Sequence, residues 1–249
     1  MSRTMTFASR NTKEITRDPL TLIFGIAFPI VLLLLLSAIN KAIPEGQGPT
    51  NFLIGNLAPG ITVFGLSFLS LFSSMLIAKD RTTSFVLRLF TSPLRPAEFI
   101  LGYTMPMLPM ALLQSIVCYL CALFLGLPFS ANLLVAVVVN IPIAIVFIAL
   151  GLLFGSILSE KAVGGICGAL LTNLSAWFSN IWFDTSMVGG LFKTIADILP
   201  FSHAVKAAQS AVAGDFGMIF SDFRLVIAYA VVLTVAAVAV FAAQLKKIS

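Results

Sequence analysis

A chain of 249 residues that is 59% hydrophobic and 10% charged, with a mean hydropathy of +1.06, cannot hide its apolar surface in one water-soluble core. The net charge of +5 comes from basic residues set between apolar runs, which is a membrane-topology signal and excludes a nucleic-acid partner. Cys118, Cys121 and Cys167 all fall inside apolar runs, so the C-x-x-C pair is two small residues one turn apart, with no redox or metal chemistry and no disulfide framework.

In chain order, residues Arg3 to Arg17 are polar and mixed in charge and precede Asp18-Pro19, a start signal for the next helix. They predict a helix lying along the membrane surface, the alternative being a disordered tail. Nothing here resembles a cleaved signal peptide. A span needs ~20 apolar residues, and six stretches qualify: 20–39, 52–78, 99–125, 131–158, 163–183 and 225–245. Continuous apolar runs exclude a barrel, so the predicted fold is all-α, a single polytopic domain of six transmembrane helices. Between the last two spans, residues 184–223 are moderately apolar but broken by Gly189, Gly190, Pro200, His203 and Gly214, which predicts short re-entrant or interfacial helices. Of the 15 Lys and Arg, 11 fall on the side of the two termini and the 79–98 loop, so that side is expected to be cytoplasmic.

The chain offers no chemistry of its own. It has no G-x-x-x-x-G-K-[ST], no H-E-x-x-H and no G-x-S-x-G, and its one histidine, His203, cannot build a zinc site alone. No catalytic, cofactor-binding or metal residue is expected. The six runs carry no ionisable residue in their interiors, which argues against a proton-driven carrier. Asn56, Gln114, Asn140 and Asn173 are polar residues within spans; each touches substrate or hydrogen-bonds a neighbouring helix. A transporter without its own drive needs a separate ATPase, and the 79–98 loop is the natural contact. The loop has basic residues, an apolar stripe of Phe85, Leu87, Leu89 and Phe90, and Pro93 and Pro96 at its end. It is either a coupling helix or a solvated topogenic loop.

Three segments bring a family to mind: Arg17-Asp18-Pro19-Leu20 entering a run with Phe28-Pro29; Lys79-Asp80-Arg81 through Thr91-Ser92-Pro93-Leu94-Arg95 to Glu98-Phe99-Ile100-Leu101-Gly102; and Ile181-Trp182-Phe183 followed by Leu199-Pro200-Phe201-Ser202-His203 and Ala213-Gly214-Asp215. In order and over nearly the whole chain, they resemble the permease subunits of ATP-binding-cassette (ABC) transporters of the type-2, exporter class. The inner loop departs from the family pattern, with Thr82-Thr83-Ser84-Phe85 in place of a Gly-Thr-Leu-Glu stretch.

The resemblance implies a cell-membrane protein, of bacterial inner or plasma membrane, without a cofactor of its own. Two copies of a separate ATP-binding subunit would hold ATP and Mg, beneath a dimer of this permease or of this permease with a similar one. It implies ATPase coupling through Arg10, Arg17, Asp80, Arg81, Phe85, Arg88, Leu89 and Arg95. Phe64, Phe68, Met75, Asn173 and Trp177 would line the pathway or pack between helices, and Pro200 and His203 would form an outer cap. The implied activity is export of a small amphipathic or lipid-like compound, of drug or antibiotic-resistance type. The alternatives are export of a polysaccharide or lipid-linked glycan, an ion-coupled carrier or channel, and a membrane scaffold or immunity protein that transports nothing.

Overall fold

A computed structural model describes residues 3–44, 48–82 and 95–248. The described residues form helices and no strand. Helix α1 (Arg3–Arg17) is followed by α2 (Pro19–Ala42), α3 (Ile54–Thr82), α4 (Pro96–Phe124), α5 (Asn132–Ile157) and α6 (160–177). Three short helices, α7 (Thr185–Val188), α8 (Gly190–Ile198) and α9 (Pro200–Ala213), lead into α10 (Phe216–Ile248).

Five helices among the described residues are long and apolar enough to cross a membrane: α2, α3, α4, α5 and α10. The sixth expected span, 163–183, is not one of them. Its helix begins at Glu160, ends at Trp177 and is π-helical over Gly164–Leu171. Eighteen residues of α-helix cover about 27 Å, short of the ~30 Å hydrocarbon core. The last span also starts nine residues ahead of its expected position, because Phe216–Ile219 continue the apolar period beyond Asp222.

Local chemistry explains the helix starts. Asp18 caps α2: its carboxylate accepts from the Leu20 amide at 3.2 Å and from the Thr21 hydroxyl, with Pro19 at the first position. A π-helical turn at Ile23–Ala27 sits just ahead of Pro29, whose missing N–H leaves the Gly25 carbonyl without its α-helical donor. Helix α9 opens on Pro200 and closes on Gly214 at φ 77°, a left-handed conformation that glycine adopts without strain.

Helix α3 is the axis of the fold. It is buried along most of its length, with α5 as its most extensive partner and α2, α4, α6 and α9 around it. Its contact with α5 is made by small residues. A Cβ on Gly151 would lie 2.2 Å from the Ser70 carbonyl oxygen, and one on Gly155 would lie 2.5 Å from that of Ser74. The Ser73 hydroxyl bonds the Ile148 carbonyl across the crossing at 3.2 Å. Helices α2 and α10 lie on the outside, and Leu20, Val31, Leu35, Val232 and Val235 are exposed there, as lipid-facing helices require.

Candidate coupling site

The densest polar cluster lies where α1 crosses the ends of α3 and α4. Asp80 is 1% exposed, in the last turn of α3 and not in a loop. Its carboxylate accepts Arg10 Nη1 at 2.6 Å and Nη2 at 2.8 Å, a bidentate fork, and the Tyr103 hydroxyl at 2.9 Å. Glu14, one turn along α1, accepts Arg10 at 2.9 Å and Lys79 at 2.8 Å. Burial disfavours the Arg10 charge. The hydrogen bond and charge of Asp80, with Glu14 behind it, more than offset this, so its pKa lies above the ordinary arginine value.

Apolar and backbone contacts seat α1 beside this cluster. Phe7 packs edge-on to Phe99 and Tyr103 and rests on Gly102, where any Cβ would sit 2.3 Å from the ring. Asn11 is fully buried and donates to the Gly102 carbonyl at 3.0 Å. That carbonyl needs an outside donor, because the residue four ahead is Pro106, which has no N–H. The buried face of α1 therefore rests on α4, a packing partner that the sequence did not name. Asn11→Ala is expected to cost about 1–3 kcal/mol by leaving the carbonyl unpaired. Asn11→Asp, which keeps the shape but loses the donor, should be no better in thermal unfolding of the purified protein.

The other expected coupling residues divide. Arg81 turns inward and donates to the carbonyls of Gly155 at 2.8 Å and Leu158 at 3.1 Å, closing the end of α5. Arg95 is exposed at the start of α4, where its amide donates to the Glu98 carboxylate at 2.7 Å. Arg17 is exposed on a cleft between α1, α2 and α3. Phe85, Arg88 and Leu89 lie outside the described residues. Glu14, Tyr103 and Asn11 were missed by sequence reasoning. The Arg10–Glu14 spacing of one helical turn was the available signal for the first.

The expected lining residues also separate. Phe64 and Phe68 are buried in a column of rings that runs from Phe24 through Phe68, Phe28 and Phe64 to Trp182, with successive centroids 5.5–6.5 Å apart. These two rings pack between helices. Met75 and Trp177 are exposed, as is Asn173, whose amide donates back to Ala169 of its own helix at 2.7 Å. Gln114 bonds the Thr62 carbonyl at 3.2 Å, and Asn140 bonds Ser115 at 3.2 Å, so both tie helix to helix; Asn56 bonds the nearby Thr50 carbonyl. At the far end Pro200 is buried. His203 stands between the Asp222 carboxylate and the Asp197 carbonyl, joining α9 to α10 and α8.

Among the described residues no group of histidines, cysteines and acids is arranged to hold a metal ion. The arrangement instead gathers α1, α3, α4 and α5 at one end of the bundle, at both mouths of the 83–94 segment. Comparison with curated proteins finds no match. Comparison with protein families matches residues 2–212 to the ABC-2 type transporter family. The chain therefore belongs to that family and is the membrane permease subunit of an ABC transporter, served by a partner ATP-binding subunit.

Proposed function

We propose that this permease exports a small amphipathic or lipid-like compound from the cytoplasm or inner leaflet, driven by two copies of a separate ATPase subunit that hold the ATP and Mg. Two permeases, identical or similar, form the pathway between them. The termini and the α1 end face the cytoplasm, as the distribution of Lys and Arg favours. In this reading α6 also crosses the membrane, its short helix completed by residues 178–183.

The observation that carries the mechanical part is the Arg10–Asp80–Glu14–Lys79 cluster. It binds α1 to the end of α3, immediately before the 83–94 segment, and Arg81 binds that end to α5. A push delivered at 83–94 would then move three helices as a unit. ATP helps only through its differential affinity for two arrangements of the halves, and closure of the ATPase pair supplies that difference. Phe64 and Phe68 meet edge to face and are buried among Phe24, Phe28 and Trp182, which weakens the glycan reading, since sugar needs rings open to the pathway.

The test is purification from the native membrane in mild detergent, followed by identification of co-purifying chains and an ATP hydrolysis assay. An ATPase is expected to come with the wild-type chain and to be lost or uncoupled by Arg88→Glu. Arg81 is a poor choice for this test, because its reversal would also strip the end of α5. A chain that always purifies alone, yet moves a solute in liposomes without ATP, would sink the proposal in favour of an ion-coupled carrier.

A further inference from the structure

Beside the cluster lies a cleft of about 1080 Å³, walled by α1, the first turns of α2, the last turns of α3 and Glu160 of α6. Its polar groups are unevenly used. Glu14 is occupied by Arg10 and Lys79, and Asp18 by the cap of α2. Lys13 and Arg17, one turn apart on α1, are exposed on the rim, and neither forms an ion pair among the described residues. Among the described lining residues Glu160 is the one acid without such a role, so their unspent charge is positive by one. The floor is apolar, made by Phe24, Phe72, Met75 and Leu76. Through Phe24 it runs onto the exposed apolar face of α2 at Leu20 and Ile23.

A cationic rim over an apolar floor that continues onto a lipid-facing helix matches one kind of occupant. We infer that the cleft binds an anionic phospholipid, with its phosphate between Lys13 and Arg17 and its chains along Phe24 and α2. A free anion would not need the floor, and an uncharged lipid would leave the two cations unused. That the lipid comes from the inner leaflet rests on the orientation proposed above; binding itself does not.

The test uses the full chain purified in detergent and titrated with phosphatidylglycerol or phosphatidylcholine, with bound lipid read by native mass spectrometry. Phosphatidylglycerol is expected to be retained at about tenfold lower concentration than phosphatidylcholine, from two cations near the phosphate. Lys13→Ala/Arg17→Ala should remove most of that preference, and Glu160→Gln should strengthen it. Both changes fall on exposed side chains, and unchanged thermal unfolding shows that the fold is kept. Equal retention of the two lipids, full preference in the double alanine variant, or a dimer that covers the cleft and admits no lipid would overturn the inference. Detergent has no inside, so the assay is independent of orientation. Labelling of Lys13→Cys from either side of sealed vesicles tests the leaflet separately.

Discussion

Arg10→Ala is expected to destabilise the protein by about 3 kcal/mol and to release α1 from the bundle. Asp80 is 1% exposed, and Arg10 supplies both arms of the bidentate fork on its carboxylate, so the alanine variant removes its bidentate cation. A buried charge stripped of its counter-ion is costly, whereas the pair together roughly balances its own desolvation. The size is set at the lower end because the Arg10 side chain is 37% exposed and water reaches it. The converse change should be milder: in Asp80→Ala the guanidinium keeps Glu14 and solvent. The double variant should cost less than the sum of the singles, since neither charge is then left alone. Thermal unfolding in detergent gives the energies. Limited trypsin digestion reads the release, with new cuts at Lys13 and Arg17 expected in Arg10→Ala. An Arg10→Ala protein as stable and as resistant as the wild type would show that the pair does not hold α1.

Gly151→Ala and Gly155→Ala are expected to destabilise by about 1–3 kcal/mol each, or to prevent folding, although alanine is the better helix former by about 1 kcal/mol. Overpacking wins because the obstacles are backbone. The new methyl would meet the Ser70 carbonyl oxygen and carbon at 2.2 and 2.8 Å from position 151, and the Ser74 oxygen and Cα at 2.5 and 2.7 Å from position 155. Rotamer changes cannot clear such contacts, so α3 and α5 must move apart. That would also break the Ser73 to Ile148 bond and the Arg81 contacts with Gly155 and Leu158. Gly164→Ala and Gly165→Ala supply the contrast. Nothing lies within 4 Å of a Cβ at either site, so the intrinsic preference should prevail and stability should hold or rise. Melting of the four variants side by side decides the matter. Equal behaviour of the two pairs would mean that the α3–α5 crossing is looser than its geometry.

The Gly151-Leu-Leu-Phe-Gly155 spacing was missed by sequence reasoning, and even read as a small-residue helix contact it would not have named its partner. An apolar run says that a face packs closely, not on what. The same limit explains the coupling residues. Arg10 and Asp80 were both picked out as charges near a membrane surface, and 69 residues lie between them. Nothing local signals that each is the other's partner. Arg81 read as a loop cation because Asp80-Arg81 follows the apolar run, yet the helix continues through Thr82 and aims the guanidinium at α5.

What the sequence determined by itself was the solvent, the secondary structure and the family. Each follows from properties carried by contiguous residues: apolar runs near bilayer length, the Asp18-Pro19 start of α2, the breakers of the 184–214 region, and motifs in fixed order. The exceptions were short-range too. The 163–183 run was apolar enough to look like a span, but its helix is π-helical over Gly164–Leu171 and ends at Trp177, so α6 is shorter than the five long helices. The tertiary structure alone decided which helix is central, which charges are spent on each other, and which cations form no ion pair among the described residues. These depend on helix rotation and crossing, and side chains three or four positions apart on one helix face a partner whose sequence position is unconstrained.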